Sequence, residues 1–226
     1  MIRTVCTIFL LPFFVNCFSQ SDDKEFYPGK TVTLRTNPFS FLQADAGIML
    51  GVNYRWKPRW SATFDPKFIF YSVPRFGDND LRNPLGIRAK ADLRYHVKSA
   101  GFLNYYMAPE LVYGYVRTNS ASTFGINCIN GNCAYYTQQV YTEIKKEAGG
   151  AVKFGMIGPI KKTNQNWKLE FYFGVGVSFF DFKYKNIPVG GSFERPPVPE
   201  YSLGNINLDG PNITIPVGLA ITHRIK

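Results

Sequence analysis

From residue 31 onward, apolar and polar side chains alternate with a period of two. Along 44–56, Ala46, Ile48, Leu50, Val52, Tyr54 and Trp56 share one parity, and Asp45, Gly47, Gly51, Asn53 and Arg55 share the other. Along 85–97, Leu85, Ile87, Ala89, Ala91, Leu93, Tyr95 and Val97 oppose Arg88, Lys90, Asp92, Arg94 and His96. Successive side chains of an extended strand point to opposite sides, so each stretch reads as a strand with one oily and one charged face. Residues 167–177 and 213–225 repeat the pattern, and weaker versions occupy 31–41, 59–73, 101–117 and 137–157. No amphipathic helical period and no internal repeat interrupts them. The expectation is an all-β chain of eight strands.

The connections carry a second regularity. Tight turns are expected at Lys57-Pro58 and Lys98-Ser99-Ala100, and a short segment at 158–166, whereas 74–84, 118–136 and 184–210 are longer. Alternation of short turns with long loops is the habit of outer-membrane barrels, whose short turns face the periplasm. Only the first connection, near Leu42-Gln43, is shorter than that habit requires. An even number of strands brings both termini to the periplasmic side.

The beginning of the chain supports export. Arg3, an apolar run from Val5 to Val15 and Ser19 before Gln20 read as a signal peptide over 1–19. Residues 20–30 then form an N-terminal periplasmic segment and 31–226 the barrel domain. No later stretch is long and apolar enough for a membrane helix. Loss of 1–19 removes one base, Arg3, so 26 Lys and Arg become 25 against 16 acids and the charge falls from +10 to +9. Export argues against nucleic acid as the partner of this basic chain. Of four cysteines, Cys6 and Cys17 lie in the signal, leaving Cys128 and Cys133 as a disulfide candidate. Cys17 is alternatively a lipid-attachment site, although Phe14-Val15-Asn16 is a poor approach to one.

Alternation alone does not say which face meets solvent, because soluble lipocalin-like barrels have the same pattern turned inside out. Aromatic placement separates the two. Trp56, Trp60, Tyr95, Tyr105 and Trp167 stand on the apolar parity beside the short turns, while Tyr113 and Tyr115 stand at the other end of their strand. Rings at strand ends are expected at a membrane interface, where one edge meets hydrocarbon and the other water. The polar parity carries Arg55, Lys67, Arg88, Lys90, Arg94, Lys153 and Lys168 against Asp45, Asp65, Asp92, Glu110 and Glu170. Eight strands enclose room only for side chains, so a nearly balanced, plugged and non-conducting interior is expected. The resulting fold class is an eight-stranded antiparallel up-and-down transmembrane β-barrel.

With these features the chain resembles the small OmpA/OmpX-like outer-membrane barrels. It is especially similar to a family with no assigned biochemical activity in which Leu34-Arg35-Thr36-Asn37-Pro38 opens the first strand, followed by Gly51-Val52-Asn53-Tyr54-Arg55-Trp56 and Arg59-Trp60-Ser61. The resemblance implies outer-membrane lipids and the barrel assembly machinery as partners. It departs in His223-Arg224-Ile225-Lys226, where such barrels carry an aromatic end.

Candidate chemistry is sparse. Lipid A-modifying barrels of this size resemble the chain and use histidine with serine and a carboxylate near the outer rim, but His96 and His223 both fall toward the periplasmic end, His223 on the lipid-facing parity. A partly solvated interfacial imidazole is the expectation for both, and enzymatic acyl transfer or deacylation is disfavoured. Cys128-Ile129-Asn130-Gly131-Asn132-Cys133 suggests a closed loop tip, with Asn-Gly supplying the reversal. Two cysteines without histidine complete no zinc site, and no metal or other cofactor is expected. The Pro-rich stretch 185–210 reads as a stiff excursion, with docking of an extracellular partner as the alternative. Gly149-Gly150, Gly174 and Gly176 read as close packing rather than as a phosphate cradle. External segments lack excess positive charge, and bases gather in the interior and at Lys57, Arg59, Lys98, Lys161 and Lys162. A structural or surface-interaction role is therefore favoured over a lipid A enzyme or a soluble ligand-binding barrel.

Overall fold

The computed structural model describes residues 30–41, 45–72, 83–100, 103–129, 132–161, 164–193 and 211–225. The expected signal peptide over 1–19, Cys17, nearly all of 20–30, most of 74–84 and the proline-rich 194–210 lie outside the described residues.

Seven antiparallel staves follow in order: β1 (Thr31–Thr36), β2 (Asp45–Lys57), β3 (Trp60–Ser72), β4 (Asn83–Ala100), β5 (Leu103–Ile126), β6 (Tyr135–Lys161) and β7 (Asn164–Lys185). A three-residue strand, β8 (Gly191–Phe193), pairs with the tip of β5. The eighth stave is made of β9 (Pro211–Thr214) and β10 (Val217–Ile225), both paired with β7. Pro216 lies between them, and proline has no N–H to give a ladder. The ring closes where β10 pairs with β1, Leu34 opposite His223 and Thr36 opposite Ile221. The eight-stranded up-and-down barrel expected from the alternation is present, and closure leaves its staves no free edge to manage.

Several boundaries differ from the sequence reading. β1 stops at Thr36 because a 3₁₀ turn over Pro38–Phe41 follows, in which Asn37 Oδ1 accepts from the Phe39 amide and Ser40 Oγ donates to the Gly47 carbonyl. The segment 118–136, expected as a loop, is instead mostly paired strand, Thr118 opposite Glu143 and Ile126 opposite Tyr135. Its polar, weakly patterned sequence hides that ladder, because above the apolar belt neither face must be oily. The hairpin thus projects beyond the barrel. Its inward face carries Phe124, Ile126 and Tyr141 in a small core with Tyr184 and Ile187. The turn expected over 158–166 is also tighter, since Lys161 pairs with Asn164.

The alternation translates directly into inside and outside. Outward side chains along β7 run Trp167, Leu169, Phe171, Phe173, Val175, Val177 and Phe179, all substantially exposed. Leu50, Phe64, Leu111 and Ile213 continue this apolar surface on β2, β3, β5 and β9. Inward positions are mostly polar and buried, with Met49, Ile69, Ala108, Val116, Ile157 and Ala220 among them. Two lumen tyrosines also cover inward glycines across the ladder: the Tyr106 ring occupies the space a Cβ on Gly155 would need, and the Tyr172 ring does so at Gly218. Gly149, Gly174 and Gly176 are closely packed in the β6–β7 ladder, as read for them, whereas a Cβ on Gly150 would meet only ordinary contacts.

Candidate functional site: a charged lumen

The described side chains that could do chemistry are gathered inside the barrel. At mid-height a continuous chain of charge crosses the lumen. Arg35 on β1 donates to Asp65 Oδ2 on β3 (2.5 Å) and to Glu170 Oε1 on β7 (2.7 Å). Glu170 also accepts from Arg94 Nη1 at 3.1 Å and from the Tyr106 hydroxyl at 2.6 Å. Arg94 grips Asp92 through Nε at 2.7 Å, and Lys153 Nζ donates to Asp92 at 2.6 Å and to Glu110 at 2.5 Å. Arg94 and Lys153 lie over the rings of Tyr106 and Tyr172 at 4.5 and 4.8 Å. Six staves are tied together by groups that are each almost wholly buried. Buried charges survive because each has partners of opposite sign and hydrogen bonds to several lone pairs.

A second cluster lies nearer the long-loop end. Asp45 accepts from Lys145 Nζ at 2.7 Å and from Arg88 Nη2 at 3.0 Å, and Arg88 also reaches Glu147 at 2.7 Å. Lys67 is buried within the field of Asp45, Arg88, Lys90 and Lys145.

Ten of the twelve residues expected in the interior network are buried: Asp45, Arg55, Asp65, Lys67, Asp92, Arg94, Glu110, Lys153, Lys168 and Glu170. Arg88 and Lys90 share their inward parity and are half-buried. Four further members were not read as network residues. Arg35 bridges the central carboxylates although it opens the chain as one base in a short strand. Lys145 and Glu147 belong to a stretch whose alternation is blurred by Lys146 and Ala148, and the ladder alone shows that 145 and 147 point inward. Arg224 completes the set on β10, opposite Thr33. The near balance of charge expected for the lumen is therefore corrected: bases exceed carboxylates there among the described residues.

One of the two histidines differs from expectation, while His223 is half-buried on the outward parity as expected. His96 is only 6% exposed rather than partly solvated. Its Nδ1 meets Asn104 Oδ1 at 2.6 Å and its Nε2 meets Ser61 Oγ at 2.9 Å. Since Asn104 Oδ1 only accepts, Nδ1 carries the proton, Nε2 is the acceptor and the Ser61 hydroxyl donates to it. This is the hydrogen-bond order of a nucleophile, base and orienting group. Ser61, however, has no solvent exposure, and its oxygen already accepts from Asn53 Nδ2 at 3.2 Å. No reacting carbonyl reaches it without displacing that packing. His223 stacks against Trp167 with ring centroids 4.4 Å apart.

The expected interface aromatics occupy one end of the barrel. Trp60 and Tyr95 are register partners with centroids 5.0 Å apart, Tyr54 stands beside Trp56, and Tyr105 and Trp167 are outward and exposed. Tyr113 is outward and exposed toward the opposite end. At the hairpin tip Cys128 and Cys133 form the expected disulfide. An Ile129–Asn132 bridge lies inside it, and Asn127, at φ 50°, donates its amide to the Gly190 carbonyl. Asn130-Gly131 lies outside the described residues. No group of three or more metal-ligating side chains occurs among the described residues.

Comparison with known proteins adds no family: no protein-family model matches the chain, and no curated protein matches its sequence.

Proposed function

We propose that this chain is an exported outer-membrane β-barrel with a plugged, non-conducting lumen and a structural or surface-interaction role. The observation that carries the reading is the inversion of its surface, with Arg94, Lys153 and Glu170 sealed inside while leucine, phenylalanine and valine rows face outward. A soluble barrel of this pattern would place its apolar rows inward. The outward row from Trp167 to Phe179 spans about 30 Å, at about 3.3 Å per residue and a strand tilt of about 40°. That is the thickness of bilayer hydrocarbon. Just beyond it Lys146 and Asp181, both exposed, are register partners, so the oily belt ends on opposite charges. Trp60, Tyr95 and Trp167 bound the belt at the short-turn end, as an interface girdle does.

In this orientation the short turns and termini face the periplasm, outer-membrane lipids surround the belt, and the barrel assembly machinery inserts it. The disulfide-tipped β5–β6 hairpin and the end of β7 stand outside, where the small core of Phe124, Ile126 and Tyr141 stiffens them for contact with an extracellular partner. Membrane fractionation followed by electrophoresis with and without boiling tests the reading. Recovery with the outer membrane and heat-modifiable migration are expected, and recovery in the soluble periplasm would overturn it.

A further inference from the structure

Above the apolar belt, the outer wall of β5, β6 and β7 becomes basic. Arg117, Ile144 and Lys183 are successive partners in one ladder row. The row on the belt side is Tyr115, Lys146 and Asp181, and the row beyond is Asn119, Thr142 and Lys185. All of these positions share the parity of the outward Tyr113 and Phe179. Arg117, Lys146, Lys183 and Lys185 are exposed, as is Asp181. The face therefore sets four bases against one acid.

Register and burial both hold these bases together. Neighbouring strands are about 4.8 Å apart and alternate residues of one strand about 6.6 Å apart, so Arg117, Lys146 and Lys183 stand within about 10 Å of one another. Ile144 lies among them. It points outward yet is only 9% exposed, so its neighbours on this face cover it. The aliphatic stems of the bases are the apolar cover at hand, and they leave the charged heads outermost. Heads of one sign at this spacing repel, and an anion among them removes that cost. Followed round the wall, the same rows change character: their outward members are Leu85 and Ile87 on β4, Phe68 on β3 and Ile48 on β2. Among the described residues the bases are thus confined to one sector and do not form a ring.

We propose that this outward face of β5–β7 binds the phosphorylated headgroup of an outer-leaflet lipid, held by Arg117, Lys146 and Lys183 with Lys185 at its rim. The inference rests on the outer-membrane reading above. Along their own strands Arg117 stands about 10 Å beyond Tyr113, and Lys183 about 10 Å beyond Phe179, at about 3.3 Å per residue and a tilt of about 40°. The headgroup layer is about 5–8 Å deep on each side of the hydrocarbon, and flexible basic side chains reach back into it. A lipid is favoured over a soluble phosphate because Leu111, Tyr113, Val177 and Phe179 continue the same face below the bases. A molecule whose phosphate rests on Arg117 and Lys183 lays its acyl chains on that apolar wall.

The test is titration of the full-length protein, purified from the outer membrane in nonionic detergent, with lipid A, the apparent Kd being read by native mass spectrometry. The probes are lipid A carrying its phosphates and the same lipid stripped of them, so the acyl chains are held constant. A saturable adduct is expected with the phosphorylated probe, and binding about 10-fold weaker or less with the stripped one. Arg117→Gln and Lys183→Gln should each weaken the phosphorylated adduct about 5-fold, and together about 30-fold, the contribution of a base near a lipid surface. Asp181→Asn should tighten it, which a merely structural role for that acid would not do. Lys161→Gln, an exposed base at the short-turn end, should leave it unchanged. These are changes of exposed side chains, so each variant should keep its heat-modifiable migration.

Equal retention of the two probes, or equal weakening by Lys161→Gln and Lys183→Gln, overturns the headgroup site. The membrane reading survives that result, since the protein is still recovered with the outer membrane. Recovery in the soluble periplasm overturns both.

Discussion

Arg35 and Glu170, 135 residues apart in the chain, meet across the lumen at 2.7 Å with both side chains almost fully buried. The same guanidinium holds Asp65, so one arginine on the first strand neutralises carboxylates on the third and seventh. Arg35→Met leaves both carboxylates short of their shared cation. Removal of one partner from a buried ion pair costs about 3–5 kcal/mol, and urea unfolding in phospholipid vesicles should show a loss of that size. An unchanged midpoint would mean that the network is not what secures the closure of β1.

Asp92 and Glu110 are not equivalent, although both are buried acids on neighbouring staves. Asp92 answers two cations, Arg94 and Lys153, whereas Glu110 has Lys153, which keeps Asp92 if Glu110 is lost. Thermal unfolding should therefore fall further for Asp92→Asn than for Glu110→Gln. Equal losses would argue that burial alone, and not the number of partners, sets the cost.

Leu111 is an outward residue on β5, 71% exposed, between Tyr105 and Tyr113. In a bilayer, Leu111→Arg places a charge near the midplane and should cost about 2–4 kcal/mol in vesicle refolding. In water the same change at an exposed site is close to neutral. A neutral result in vesicles would sink the membrane reading at this face.

Ser61 should be inert. With its proton directed to His96 and its side chain wholly enclosed, the folded barrel is expected to resist a fluorophosphonate probe. Ser61→Ala should leave lipid A profiles unchanged. Labelling of the folded protein at Ser61 would revive a hydrolytic role.

The disulfide closes six residues at the end of a hairpin that projects beyond the barrel. Cys128→Ser/Cys133→Ser should leave barrel unfolding within about 0.5 kcal/mol of wild type, as a change outside the cooperative core does. Cleavage near 127–134 by an added protease should accelerate. Gly125→Ala should have a related local effect, because its Cβ would press on the Sγ atoms of both cysteines.

The strands of the barrel wall were legible because an apolar outer surface and a polar lumen impose opposite side chains on adjacent positions. Ile48, Leu50 and Val52 against Gly47, Gly51 and Asn53 announce both a strand and its two faces. Where a segment leaves the belt that pressure ends, and the paired stretch from Thr118 to Ile126 reads as loop. The same logic divides the site. Arg94, Lys153 and Glu170 were recognisable by parity, since a charge opposite an oily row must turn inward.

Which charge meets which was not legible. Alternation fixes a residue's face, but partners across the lumen depend on ring closure and on strand register, which brings Arg35 to Glu170 and sets Arg224 beside Thr33. The buried trio of Ser61, His96 and Asn104 follows the same rule: its members are ordinary polar residues until three staves align them. The sequence by itself determined a two-faced strand barrel and the inward parity of its charges, because that information is local. The pairing of those charges and the extension of the β5–β6 hairpin were decided only in the tertiary structure, because they arise between residues that the chain keeps far apart.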